Sequence, residues 1–228
     1  MTVSLNQVTV SYGSRIVIDD LSIDLPEQRI GLIGGNGCGK STLVRLCNGL
    51  IRPDHGHVTV NGHDSVREAK VVRRMVGFVF QDPDLQIIMP TVAEDLAFSL
   101  RDNHWSKSKV TAEVDRWLEA YQLSGHRDHP AHLLSGGQKQ MLAIAAVLIT
   151  APEIVVFDEP TTLLDLANRH RVKSVVNSLN QQVLVVTHDL DFVTDFDRVL
   201  VIGNQGIAFD GRPAEAISFY RRQASAIN

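Results

Sequence analysis

The 228 residues include 22 lysines and arginines against 26 aspartates and glutamates, a formal charge of -4, and 44% of them are hydrophobic. That length suits one α/β core with a smaller appended lobe, and the slight acidity excludes a broad basic field of the kind that tracks nucleic-acid phosphates. The longest apolar stretch, Met141 to Ala151, is eleven residues and stops at Pro152, well short of the roughly 20 that a membrane-spanning helix needs.

At the start of the chain, MTVSLNQVTV alternates like a strand and shows no basic segment leading into an apolar core. No signal peptide is therefore expected, and a cytosolic location follows. Ile16 to Leu25 reads as a second strand, and HVTVNGHD as a third that runs into an Asn61-Gly62 turn, which together make a β-rich N-terminal part of antiparallel type. Four short apolar runs follow the alternating strands or lie between them: RIGLI, VGFVF, EIVVF and VLVVT. Each has the length and continuous apolarity of a strand buried on both faces, so they predict a parallel core. From about Thr91 to Thr150 the apolar residues recur at helical spacing, which predicts a helical lobe inserted into that core. Within it, WSKSKVTAEVDRWLEAYQ is read as a solvated helix face with Trp105, Trp117 and Leu118 packed inward. The tail GRPAEAISFYRR predicts a last surface helix with Pro213 near its start. Cys38 and Cys47 fit a reducing compartment better than a disulfide framework.

The chemistry gathers at the ends of the four runs. RIGLI opens into Gly34, Gly35, Asn36, Gly37, Cys38, Gly39, Lys40 and Ser41, a GxxxxGK[ST] pattern placed after a strand and before a helix. Residue frequencies put a chance match in such a chain at about 1%. Loop N–H groups would surround phosphates there, Lys40 would reach the β and γ groups, and the Ser41 hydroxyl would bind Mg²⁺. EIVVF ends in Asp158 and Glu159; Asp158 would hold the Mg²⁺ shell and Glu159 would polarise the attacking water. A lone acidic pair after an apolar run is more often a solvated strand end, and the lysine loop is what favours chemistry here. VGFVF leads to Gln81 and VLVVT to His188, so four buried runs each terminate in a group suited to phosphate, metal or water. LSGGQ, Leu134 to Gln138, sets two glycines at the mouth of an apolar helix, where exposed N–H groups attract an anion. It reads as a second phosphate site. HRDHPAH spaces His126, His129 and His132 by three, but Pro130 breaks any helix that would align them, so a solvated loop is expected rather than a metal site.

Taken in order and spacing, these motifs resemble the ATPase subunits of ABC transporters over nearly the whole chain. LSGGQ resembles the family signature, and TTLLD, Thr161 to Asp165, resembles the loop after the catalytic glutamate. The resemblance implies an α/β fold: a P-loop NTPase core of ABC ATPase type with an N-terminal antiparallel β part and an inserted helical subdomain. One domain would span 1–228, with 1–90 and 151–228 as core and about 91–150 as the helical part. It further implies that the signature of one subunit, through Ser135, Gly136, Gly137 and Gln138, closes over ATP held by the loop Gly34 to Thr42 of a second subunit. That second subunit would be a twin or a close paralogue. His188 would contact the γ-phosphate and Gln81 would sense metal and water. Tyr12 stands where the family stacks a ring on adenine; a strand-end aromatic packed on the β part is the equal alternative.

Within the family, QDPDLQIIMPTVAEDLAF, Gln81 to Phe98, resembles the energy-coupling-factor group that drives vitamin and transition-metal uptake in prokaryotes. The compact length is nearer the short biotin-type ATPases than the cobalt-type ones. That reading implies an integral membrane coupling subunit, a membrane substrate-binding subunit, no nucleic acid, and a peripheral position on the cytoplasmic face of the membrane. The alternative is a soluble ABC-type ATPase acting on nucleic acid or ribosomes, which commonly carries paired units or coiled-coil insertions. Three positions depart from the family: Leu163, where many relatives are small; Met141, where arginine is frequent; and Cys38, read as a small filler in the loop, with a redox switch as the lesser reading.

Overall fold

The computed structural model describes residues 2–203 and 205–225. The chain divides into two compact units, one built from the residues up to Phe78, Glu153–Glu159 and those from Ser178 onward, the other from Val79–Pro152 and Pro160–Asn177.

The first unit holds two sheets. Strands β1 (Val3–Tyr12) and β2 (Arg15–Leu25) form an antiparallel hairpin that pairs Tyr12 with Arg15, a two-residue connection that Gly13 permits at φ +62. β4 (His55–Val60) pairs antiparallel with β1, and β5 (His63–Asp64) with β4, giving the order β2-β1-β4-β5. The Asn61-Gly62 turn has positive φ at both residues, 48° and 85°, as a tight primed turn requires. The second sheet has the order β10-β9-β3-β8-β7-β6. β3 (Arg29–Gly34), β6 (Val76–Val79), β7 (Ile154–Asp158) and β8 (Gln182–Val186) come from the four apolar runs. β3 runs parallel to β8, and β8 to β7. β7 and β8 are buried along their whole length, the expected consequence of layers on both faces. A fifth run, Arg198–Gly203, is β9, parallel to β3, and turns back as the antiparallel β10 (Gly206–Gly211). Helices α1 (Lys40–Cys47) and α2 (Ala69–Met75) lie between these strands in sequence, and α7 (Pro213–Ser225) ends the unit with Pro213 as its first residue, where its missing N–H costs nothing.

The second unit is helical: α3 (Val92–Ser99), α4 (Lys107–Ala120), α5 (Gly136–Leu148) and α6 (Leu166–Ser178). Thr91 and Glu94 cap α3 reciprocally, a capping box. α5 is mostly buried, Met141 included; Met141 is therefore a core side chain of this unit. On α4 the buried stripe is Val114 and Leu118. Trp105 and Trp117 are half-buried, contrary to the inward packing expected of them. Lys109 Nζ sits 3.8 Å from the Trp105 ring centre, and Trp117 donates through Nε1 to Glu113 at 3.0 Å, so charged partners hold both rings toward the helix surface. In HRDHPAH, Asp128, His129, Pro130 and His132 are exposed, as expected of a solvated loop, and the stretch connects two short 3-10 turns, Ser124–His126 and Ala131–Leu133. Among the described residues no helix is long and apolar enough to cross a membrane.

Candidate active site

In the first unit the carboxyl ends of β3, β7 and β8 bring Gly34, Asp158 and, two residues past β8, His188 to one sheet edge. Open α/β sheets bind ligands at such edges. Gly34 has φ +149, and a Cβ there would lie 2.4 Å from the Ile202 carbonyl oxygen, so only glycine can leave β3 at this point. Gly35, Asn36, Gly37 and Cys38 carry the loop to Gly39, which caps α1 in the left-handed region at φ +107 with no side chain over the helix mouth. The helix N–H groups of Lys40, Ser41 and Thr42 thus open onto the loop, with the positive end of the dipole behind them. Lys40 is 7% exposed and donates through Nζ to the Gly34 and Gly35 carbonyls, both at 2.9 Å. A third N–H of the ammonium is left for a ligand.

Asp158 is 1% exposed. Ser41 donates through Oγ to its Oδ1 at 2.8 Å, and Arg45 Nη2 lies 3.3 Å from its Oδ2. Ser41 and Arg45 are four apart on α1, so one helix face presents both to the same carboxylate. Glu159 follows at φ +54, a conformation that costs a non-glycine residue roughly 1–3 kcal/mol and is concentrated at functional sites. Its N–H is held by the Val186 carbonyl at 2.9 Å, and its Oε2 lies 2.7 Å from His188 Nδ1 and accepts the His188 N–H at 3.3 Å. The strained backbone thereby aims the carboxylate at the end of β8. A cleft of about 290 Å³ beside the loop is lined by Tyr12, Arg15, Val17, Gly37, Gly39, Lys40, Ser41 and Thr42. Tyr12 is 54% exposed on its wall, so its ring is not packed into the β part. Arg15 donates to the Gly37 carbonyl at 2.9 Å, fastening the hairpin to the phosphate loop. Cys38 and Cys47 are both free thiols. Burial pushes the Cys47 thiol up to about 12, so it stays protonated and inert.

The remaining sequence-predicted residues belong to the second unit. Gln81 is exposed in a bend two residues beyond β6. Ser135 is the N-cap of α5: its Oγ accepts the Gln138 N–H at 3.4 Å, and Gln138 Oε1 accepts the Ser135 N–H at 2.9 Å. This capping box leaves the Gly136 and Gly137 N–H groups without a partner among the described residues. A Cβ on Gly136 would meet nothing within 4 Å, whereas one on Gly137 would lie 2.3 Å from Asn168 Cγ. Asn168 is in turn held by Asp165 Oδ1, which accepts its backbone N–H at 2.8 Å and its Nδ2 at 3.0 Å. The second glycine is thus required by packing on α6, the first is open to a ligand, and the loop after the acidic pair touches the signature through one carboxamide. Leu163, in that loop, is 97% exposed.

Several contributors escape a reading by motif. Arg45 had a usable signal, its four-residue offset from Ser41. Arg15 and Asn168 had none, because Gly37 and Gly137 are distant in sequence; Asp95 lies in the Gln81 to Phe98 stretch that carries the resemblance, but its burial is tertiary. Asp95 is 4% exposed, and its Oδ1 accepts the N–H groups of Ile88 and Met89 at 2.9 and 3.1 Å. Burial raises its pKa, which the two N–H bonds oppose. Gln86 ties the same stretch to α5, accepting the Phe80 N–H at 3.2 Å and donating to the Ala143 carbonyl at 2.8 Å.

Comparison with known proteins agrees with this geometry. The ABC transporter family profile matches residues 18–162. A Deinococcus radiodurans protein provisionally named an ABC transporter ATP-binding protein is 52% identical over 97% of this chain and 98% of its own length. The biotin transport ATP-binding protein BioM of Rhizobium etli is 42% identical over 99% of this chain and 100% of its own. The solved structure of CbiO1 from Clostridium perfringens, described as part of the ABC transporter complex CbiONQ, superposes with a TM-score of 0.82 at 26% identity, over 99% of this chain and 94% of that one. The fold is the ABC ATPase fold in mixed α/β form. A matched family profile over most of the chain and full-length relatives at this identity leave one conclusion: the chain belongs to the ATP-hydrolysing, ATP-binding subunits of ABC transporters.

Proposed function

We propose that this ATPase powers uptake of a vitamin or transition-metal ion through a membrane complex of the energy-coupling-factor type, by ATP-driven dimer closure and reopening. The support from relatives is the full-length similarity to a biotin transport subunit and the similarity to a cobalt import ATP-binding protein of Syntrophus aciditrophicus, 39% identical over 90% of this chain and 75% of its own length. The observation that carries the mechanism is the pair of free N–H groups at Gly136 and Gly137 on a self-capped helix. Two donors and a helix dipole suffice to complete a phosphate site and are too few to build one.

In this reading residues 1–228 act as one ATPase domain. Lys40 exchanges a loop carbonyl for the β- and γ-phosphates, the N–H groups from Gly35 to Thr42 surround them, and Tyr12 stacks on the adenine. Ser41 Oγ and Asp158 Oδ1, 2.8 Å apart, form an all-oxygen pair that suits Mg²⁺, a hard cation that keeps most of its own water. Held by Ser41 and Asp158, Mg²⁺ would supply neutralisation of the phosphate charge. Glu159 takes a proton from the attacking water as its oxygen bonds the γ-phosphorus and the bond to ADP breaks, with His188 holding the Glu159 carboxylate and reaching the γ-phosphate. Ser135, Gly136, Gly137 and Gln138 of a second subunit close over that phosphate, Gln81 reports metal and water to the helical unit, and product release reopens the pair. The second subunit is a twin or close paralogue; the other partners are a membrane coupling subunit and a membrane substrate-binding subunit, with the ATPase peripheral on the cytoplasmic face and no nucleic acid engaged.

Glu159→Gln tests the mechanism: the variant is expected to bind ATP and dimerise while hydrolysis falls by about 10²–10⁴-fold. Unchanged turnover removes Glu159 from the role. For the transport class, this chain isolated from solubilised membranes of its native host should bring with it a small transmembrane substrate-binding protein and a coupling subunit; ribosomes or DNA in their place refute the reading.

A further inference from the structure

We propose that His126 is a positioning residue for the signature: its ring accepts the Gln138 carboxamide, fixing which atom of that amide caps Ser135 and so keeping the Gly136–Gly137 N–H pair presented. The inference rests on the reading of the signature as a half-site for a second subunit's ATP.

Gln138 Oε1 is committed to the Ser135 N–H at 2.9 Å, so its Nε2 is the end that meets His126 Nε2 at 3.0 Å. An amide NH₂ can only donate, so the imidazole nitrogen facing it must be a bare lone pair, which places the ring proton on Nδ1. His126 Nδ1 is buried and has no partner among the described residues. An orphaned buried N–H costs roughly 1–3 kcal/mol and calls for a reason. Holding Gln138 is that reason: the ring could satisfy neither nitrogen better without releasing the amide. Left unheld, the carboxamide is free to rotate, and its NH₂ cannot cap a backbone N–H.

The ring itself is anchored. The His129 ring stands edge-on at 5.3 Å. The turn that carries both is bonded to the start of α3, with Ala93 N–H on the Arg127 carbonyl at 2.9 Å and Val92 N–H on the His129 carbonyl at 3.3 Å, and Ala131 N–H reaches the Pro90 carbonyl at 2.9 Å. The segment between Gln81 and Phe98 is therefore bonded to the turn that carries His126, and His126 extends that connection to the signature cap. HRDHPAH, which resembles neither a metal site nor any part of the nucleotide machinery, acquires a role.

The test compares His126→Phe, which keeps ring volume without the acceptor, with His126→Gln, whose side-chain oxygen can accept from Gln138. In the full-length chain without nucleotide, amide hydrogen exchange at Ser135 and Gln138 should speed up about tenfold in His126→Phe and return toward wild type in His126→Gln. Protection of Met141–Leu148 should hold, showing that α5 remains folded. On a Glu159→Gln background, the ATP concentration that drives half of the chain into dimers should rise several-fold for His126→Phe and recover for His126→Gln. If Glu159→Gln alone does not dimerise with ATP, the half-site reading fails, and exchange at Ser135 still judges His126. Wild-type exchange in His126→Phe overturns the proposal, as does a His126→Gln variant indistinguishable from His126→Phe. Should His126→Phe lose α5 protection altogether, Gln138→Met breaks the same contact from the other side and is held to the same exchange increase at Ser135.

Discussion

Two glycine-rich helix mouths, one in each compact unit, look interchangeable in sequence and are built on opposite plans. Before α1 the loop is distorted so that nothing covers the helix: Gly34, Gly37 and Gly39 all have positive φ, the N-cap has no side-chain bond, and Lys40 is folded onto loop carbonyls that a ligand can replace. Before α5 the backbone is ordinary, neither glycine has positive φ, and the cap is closed by Ser135 and Gln138 of the same turn. The first plan uses the left-handed freedom of glycine to keep every donor open. The second satisfies its own donors and leaves two over. Glycine at a helix mouth thus serves two ends, left-handed geometry in one region and sheer absence of a side chain in the other, and only the first makes an anion site strong enough to stand alone.

The largest effect expected from this contrast is at Lys40. Lys40→Ala removes a buried cation from the open mouth and should weaken ATP binding by the isolated chain on the order of a hundredfold or more, since hydrogen bonds to charged groups contribute roughly 1.5–3 kcal/mol each. Fluorescent-nucleotide titration of the monomer reads this directly. Ser135→Ala strikes the cap of the other mouth and should act on ATP-driven pairing instead. Equal losses of monomer binding in both variants would erase the distinction between the two mouths.

A smaller effect separates the two glycines of the signature. Gly137→Ala places a methyl 2.3 Å from Asn168 Cγ, an overpacking that should cost about 1–3 kcal/mol and lower the thermal midpoint by several degrees. Gly136→Ala, with nothing within 4 Å, should leave the midpoint unchanged. Asn168→Ala in the Gly137→Ala background should return most of the loss, and the shortfall from additivity measures the contact. A Gly137→Ala chain that melts with wild type would show that α6 yields at no cost, and that packing does not dictate this glycine.

How far the sequence discloses these features follows the range of the forces involved. The runs that became β3, β7 and β8 are buried on both faces, so local apolarity alone marks them; Arg198–Gly203 has the same composition and completes a six-stranded sheet, yet without a motif at its end it drew no notice. The phosphate loop is legible because strand, glycines and lysine are contiguous. Asp158 and Glu159 are legible through the strand before them, while the left-handed backbone of Glu159 has no local mark, since a glutamate does not announce it. Pairs such as Arg45 with Asp158, Asn168 with Gly137 and His126 with Gln138 are tertiary, and spacing rules cannot reach them. Trp105 and Trp117 misled because large aromatics are usually inward, and here lysine and glutamate neighbours compete for their faces and edges.

The smallest effect lies at Asp95, whose carboxylate gathers the Ile88 and Met89 N–H groups in the unit that carries the self-capped helix. Burial raises its pKa above the ordinary 3.8, so the folded chain holds this proton more tightly than the unfolded one. As pH climbs through the interval between those two values the unfolded carboxyl ionises first, and folding loses stability across that interval; above it the cost of burying the charge is present in full. Asp95→Asn keeps an oxygen for both N–H groups and removes the titration. The variant should therefore gain on wild type as pH rises from about 3.8 toward neutrality, read as the difference between their urea midpoints at acid and neutral pH, while Asp95→Ala, lacking the acceptor, should be the less stable at every pH. A difference between Asp95→Asn and wild type that stays flat with pH would mean the carboxylate is not held ionised against burial. The stretch from Gln81 to Phe98 would then be fixed by Gln86 and the capped start of α3 rather than by a buried charge, sharpening the contrast of this unit with the left-handed glycine loop of the first.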